Sequence, residues 1–155
     1  MSTQSILRFT SQFLMFPLVL TSRMMVGLNF KGLNQGLQRC LESVDATPPL
    51  PARFVATLVA AEDHRSPVHC GVDPIALLRV LLVWLRTGRS QGASTIEQQF
   101  VRVVTARYER TFHRKMREQV LAIALCRRRS KTSVAMAYLS IAFYGSGQQG
   151  SSALL

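Results

Sequence analysis

Apolar residues recur along this chain at helical spacing, and no segment alternates as a strand would. The longest apolar block, Phe13-Leu14-Met15-Phe16-Pro17-Leu18-Val19-Leu20, precedes Met24-Met25-Val26, and between Arg8 and Lys31 the only charge is Arg23. A spanning helix needs about 20 uninterrupted apolar residues. Pro17 and Arg23 interrupt this one, so three readings stay open: a short signal-anchor, an interfacial helix with Arg23 snorkelling, or an ordinary buried helix. No small-residue cleavage site stands out. Thr47-Pro48-Pro49-Leu50-Pro51 cannot continue a helix and marks a boundary, giving an N-terminal hydrophobic segment over 1–46 and a second unit over 47–155.

In the second unit, Pro51 suits a first helical turn, followed by Phe54, Val55, Leu58, Val59 and Ala61. Asp73-Pro74 is a capped helix start, Ile75, Leu78, Leu81, Leu82 and Leu85 form an apolar stripe, and Gly88 is a stop. Residues 89–93 read as a loop. Ser94-Thr95-Ile96-Glu97 matches a capping box with Ser94 as cap, opening a helix through Ile96, Phe100, Val103 and Val104. A further helix is expected over Thr111 to Cys126, with Phe112, Met116, Val120, Ile123 and Ala124 inward. A last one, capped by Ser130, should run through Val134, Tyr138, Leu139 and Ile141 to Gly145. The fold class is all-α, with five or six helices.

Charge narrows the partners. Lys and Arg number 19 against 8 Asp and Glu, a net charge of +11, while only 17% of residues are charged. Such a chain favours anionic partners: nucleic acid, an anionic membrane face or a phosphorylated substrate. No nucleic-acid-binding motif accompanies the charge, so no nucleic-acid partner is expected. Cys40, Cys70 and Cys126 are odd in number and lack CxxC or metal-ligand spacing, which argues against a disulfide framework and for scattered buried thiols.

The unusual polar residues fall into four clusters. Glu62-Asp63 with His64 and His69 follows an apolar helix, and Ser94, Thr95, Gln98 and Gln99 gather at a helix N-terminus, where free N–H groups favour anions. Arg114, Lys115 and Glu118 share a helix face. Lys131 and Tyr138 precede the glycine-rich run 144–150. Taken singly, these read as a solvated helix end, a capping box, a surface ion pair and a core helix. Taken in order, ED-HRS-PV-H-C-G, G-A-ST-IE-QQ, RK-MR-E and K-TS-VA-MA-Y-L-S resemble ED-x-x-F-x-x-H-x-G, G-x-ST-x-x-QQ, RK-x-x-E and K-x-x-IL-x-x-Y-x-N. These are the motifs of the peptidoglycan glycosyltransferases, the domain shared by monofunctional biosynthetic transglycosylases and class A penicillin-binding proteins. The match covers about residues 50–150.

The resemblance implies a lysozyme-like helical domain with a membrane-apposed lobe, at the periplasmic or external face of the bacterial cytoplasmic membrane. It implies polymerisation of lipid II into glycan with inversion and release of undecaprenyl diphosphate. Glu62 matches the family's general base and Glu118 its second glutamate, thought to position the diphosphate directly or through a divalent cation, Mg or Mn. Arg114 and Lys115 match the basic pair, and Arg102 stands where lysine is usual. Asp63 and His69 would support Glu62, and Ser94, Thr95, Gln98 and Gln99 would contact substrate. The implied partners are lipid II and lipid-linked glycan, the membrane surface and cell-wall synthesis proteins. Ser66, Ala93, Val103, Met136 and Ser140 depart from the pattern, and its arginine-rich fifth motif does not occur before Leu155. The reading is therefore of a C-terminally short domain with uncovered apolar surface. The alternative is a non-catalytic homologue that binds lipid II or other cell-wall synthesis proteins.

Overall fold

The computed structural model describes residues 3–28, 30–89, 92–145 and 148–149. Among these the chain forms α1 (Thr3–Gly27), α2 (Leu33–Asp45), α3 (Ala52–Glu62), α4 (Pro74–Thr87), α5 (Ile96–Val104), α6 (Phe112–Cys126) and α7 (Lys131–Ile141). Short 3-10 turns lie at Phe30–Gly32 and Ser66–Val68, and a small antiparallel pair, β1 (Phe143–Gly145) and β2 (Gln148–Gln149), follows α7. The fold is all-α as expected, with seven helices in place of five or six because the N-terminal region breaks in two at Phe30–Gly32. Ser90 and Gln91 of the expected loop, and Ser146, Gly147 and Gly150 of the glycine-rich run, lie outside the described residues.

α6 is the axis of the fold. Its Val120, Leu121, Ala122, Ala124 and Leu125 are buried in one cluster with Leu33, Leu37, Cys40 and Val44 of α2, Phe100 and Val101 of α5, and Val134 and Ala137 of α7. Each large side chain fully buried there contributes about 1.5–3 kcal/mol. α1 lies along α6, burying Met15 and Val26, while the Ser22 hydroxyl donates to the Val120 carbonyl at 3.0 Å. Its opposite side leaves Phe13, Phe16, Leu20 and Met24 exposed. No described helix is long and apolar enough to cross a membrane.

Local chemistry sets the helix ends. The Asp73 carboxylate accepts from Ile75 N and Ala76 N, both at 3.0 Å, and Gly88 ends α4 at a φ of 67°. Ser130 accepts from Ser133 N and starts α7. That helix stops at Ile141 rather than Gly145, because Ala142 turns extended and leads into β1. The α5 cap is Thr95, not Ser94. Thr95 Oγ1 accepts from Gln98 N, and Gln98 Oε1 accepts from Thr95 N, one residue later than expected. The register is fixed by tertiary structure: Thr95 Oγ1 also donates to the Gly71 carbonyl at 2.7 Å.

One expected inward residue and one apolar helix face are not covered. Phe112 is 75% exposed, since it occupies the first turn of α6, beyond the neighbours that bury Val120 and Ile123. The α4 stripe points outward: Leu78, Leu81, Leu82, Trp84 and Leu85 are all exposed, leaving an apolar face on the surface.

Candidate active site

Glu62 is the last residue of α3 and is exposed. The Gln99 side-chain amide, one turn into α5, donates to Glu62 Oε2 at 3.0 Å, and Gln99 Oε1 accepts from the Tyr138 hydroxyl at 2.8 Å. Burial raises the Tyr138 hydroxyl above its ordinary pKa, the Glu62 charge adds to this, and Arg102 opposes it. The phenol thus feels both the carboxylate and a cation of the next cluster.

Asp63 turns inward beside Glu62. Its carboxylate bonds His69 Nε2 at 3.0 Å and accepts from Ile96 N at 3.4 Å, at the start of α5. Lys131 Nζ faces His69 Nδ1 at 3.5 Å and donates to Glu97 Oε1 at 2.6 Å. With an ammonium at Nδ1, the imidazole places its proton on Nε2, toward Asp63. Asp63, His69, Lys131 and Glu97 form a chain of contacts with both carboxylates and the imidazole buried, and Glu97 Oε2 has no partner among the described residues. Together they fix the backbone behind Glu62.

The third cluster centres on Glu118, which is only 3% exposed. Arg102 approaches through Nε and Nη2, both at 3.2 Å, and Lys115 Nζ donates at 2.8 Å. Arg114 pairs with it across one turn of α6. Burial alone would raise the Glu118 carboxyl, but the hydrogen bonds and charges of Lys115 and Arg102 outweigh it and hold the group below its ordinary value. Ser94 Oγ accepts from Lys115 Nζ at 3.1 Å and from Arg102 Nη2 at 3.4 Å, and Gln98 Oε1 accepts from Lys115 at 3.2 Å. Three cations around one carboxylate leave two net positive charges. Two buried donors nearby, Arg114 Nε and Gln98 Nε2, have no partner among the described residues.

α5 joins these parts. Gln99 holds Glu62 and, one turn on, Arg102 holds Glu118, so the exposed carboxylate and the cations lie along one helix face. A cavity of about 80 Å³ at this end is lined by Glu62, Asp63, Ser94 and Thr95 among others. Every residue expected at the site falls into this assembly. Glu62, Gln99, Ser94, Arg102, Arg114 and Lys115 sit at its margins; Asp63, His69, Thr95, Gln98 and Glu118 are buried within it. Three supports were not among the expected site residues: Glu97, Lys131 and Tyr138. The last two were legible, since a separation of seven residues puts both on one face of α7. Glu97 fits the expected capping box but is bound by Lys131 instead.

The donor set does not suit a resident divalent cation. Asp63, His69 and Glu97 place ligand atoms within 4.8 Å of one another, but Lys131 already supplies the positive charge there. Glu118 likewise is met by three cations.

Comparison with known proteins places the chain in a family. The transglycosylase family profile matches residues 33–154, and the chain belongs to that family. Penicillin-binding protein 1A of Aquifex aeolicus is 38% identical over 102 residues, spanning 65% of this chain and 14% of the relative. Penicillin-binding protein 1A of Haemophilus influenzae is 40% identical over 97 residues, 62% of this chain and 11% of the relative. Penicillin-binding protein 1B of Vibrio cholerae is 36% identical over 105 residues, 67% of this chain and 13% of the relative. The chain thus spans a small part of the length of these relatives.

Proposed function

We propose that this chain is a peptidoglycan glycosyltransferase that transfers lipid-linked glycan onto lipid II at the outer face of the bacterial cytoplasmic membrane. Glu62 takes the proton of the acceptor 4-hydroxyl, whose oxygen attacks the anomeric carbon of the donor from the face opposite the leaving group. The carbon–oxygen bond to the diphosphate breaks, its electron pair leaves with undecaprenyl diphosphate, and configuration inverts. Arg102, Arg114 and Lys115 meet the charge that builds on the diphosphate, held in place by Glu118 so that little reorganisation is needed at the moment of reaction. Ser94 and Gln98 orient Lys115; Asp63, His69 and Thr95 hold the base and the start of α5. The exposed apolar face of α4, flanked by exposed Arg79, Arg86 and Arg89, suits an anionic membrane surface.

One observation carries the reading: α5 holds the carboxylate of Glu62 through Gln99 and the cations through Arg102. The test is polymer formation from labelled lipid II in detergent by the parent chain and by Glu62→Gln. Polymer from the parent alone supports the transferase. A second reading, a homologue that binds lipid II without polymerising it, is favoured by the pairing of all three cations with Glu118 inside the protein. It predicts that both proteins bind lipid II and neither makes polymer.

A further inference from the structure

Two of the three cysteines, 56 positions apart in sequence, meet in the fold. Gly71 is seated against the middle of α6: a Cβ built on it would lie 2.4 Å from the Ala122 carbonyl oxygen and 2.8 Å from Ile123 N. That approach brings the neighbouring Cys70 onto α6, where Cys126 lies one turn beyond Ala122. The Cys70 and Cys126 side chains lie close enough to act on each other, with Lys131 acting on both and Arg127 on Cys70. Both cysteines are free and half-buried, whereas Cys40 is free and fully buried in the core. No residue of the site described above uses either thiol as a partner.

We propose that Cys70 and Cys126 are a thiol pair that closes to a disulfide on exposure to a small-molecule disulfide, tying the loop that carries His69 to the end of α6. In the first step the Cys70 thiolate attacks one sulfur of the oxidant, forming a mixed disulfide and releasing one thiolate. In the second step Cys126 loses its proton to solvent and attacks the Cys70 sulfur, expelling the second thiolate. Two protein thiols are oxidised and one external disulfide is reduced to two thiols.

The chemistry of the three thiols differs in the required direction. The Cys126 side chain draws Cys70 down to about 7 against the opposing effect of burial, and the charges of Lys131 and Arg127 help, while Glu97 opposes. Cys126 is pushed up by Cys70 in turn and by burial, so it remains the protonated partner until the mixed disulfide forms. Burial pushes Cys40 up to about 12 despite Arg117, which leaves it inert. Cys70 is then the attacking thiol and Cys126 the resolving one. The inference does not rest on the proposed activity.

The test uses the purified full chain, reduced and then treated with oxidised glutathione at neutral pH, with free thiols alkylated in denaturant before peptide mapping by mass spectrometry. The expected product is a monomer with Cys70 joined to Cys126 and Cys40 alkylated. Its thermal midpoint should be raised by about 5 °C or more, because the cross-link closes a long loop, and dithiothreitol should return it. Cys126→Ser should stop at glutathione on Cys70, and Cys70→Ser should react at least tenfold more slowly than the parent. A Cys40 disulfide, linked dimers, or glutathione left on Cys70 of the parent without closure would each overturn the proposal.

Discussion

The side-chain amide of Gln99 donates to Glu62 at 3.0 Å while its oxygen accepts from Tyr138, so one α5 residue clamps the exposed carboxylate from behind. A carboxylate at the end of α3 would otherwise sample many rotamers. Gln99→Ala removes the clamp and orphans the Tyr138 hydroxyl. The loss of a hydrogen bond to a charged group is worth about 1.5–3 kcal/mol. Polymerisation turnover should fall roughly tenfold to hundredfold with lipid II affinity changed less. Turnover equal to the parent would show that Gln99 does not position the base.

Glu118 makes acid stability a direct readout of the cation cluster. Its folded pKa lies below the ordinary 4.5. The stabilisation is therefore fully present above about pH 4.5 and is lost as pH falls through the folded value. Glu118→Gln leaves three cations without their counter-charge, and breaking such a buried pair costs about 3–5 kcal/mol. Thermal midpoints measured from pH 7 to pH 3 should drop less steeply below pH 4.5 in Glu118→Gln than in the parent. Asp73, held below its ordinary value by Ala76 N and Arg65 although burial raises it, and Asp45, held below its own by Arg129, contribute to the slope that remains.

Ser94 and Thr95 should separate stability from binding. Thr95 caps α5 and donates to Gly71, so Thr95→Ala should lower stability by about 1–2 kcal/mol. Ser94 caps nothing and instead bridges Arg102 and Lys115. Ser94→Ala should leave the chemical-denaturation midpoint within about 0.5 kcal/mol of the parent while weakening lipid II binding several-fold. The reverse pattern would restore Ser94 as the cap.

These two residues also show where sequence reasoning stops. A hydroxyl at either position can cap a helix, and both S-x-x-E and T-x-x-Q satisfy the pattern. The choice is made by the Gly71 carbonyl, 24 residues away, which no local pattern reveals. The same limit hid Glu97, whose partner Lys131 lies 34 residues on. It also hid the meeting of Cys70 and Cys126. The α4 stripe was correctly read as an apolar helix face, but periodicity reports that a face exists, not what covers it. By contrast, Glu62, Arg114, Lys115 and Glu118 were legible because each motif fixes its own spacing on a helix or at a helix end, and the order of the motifs did the rest.

Gly71 is where the loop behind Glu62 meets the axis of the fold. Its φ of 81° is a conformation that side chains resist, and a Cβ there would sit 2.4 Å from the Ala122 carbonyl oxygen and 2.6 Å from its carbon. Those atoms belong to the buried centre of α6 and cannot give way as a side-chain tip would. Gly71→Ala must therefore move the loop, and with it the Thr95 hydrogen bond and His69, two residues before it. We expect a loss of about 3 kcal/mol or more, read as a lowered chemical-denaturation midpoint. Gly88→Ala shares the positive φ but meets open space, and should cost only about 1 kcal/mol. Equal losses at the two positions would mean that backbone conformation alone, and not the contact with α6, sets the requirement for glycine at 71.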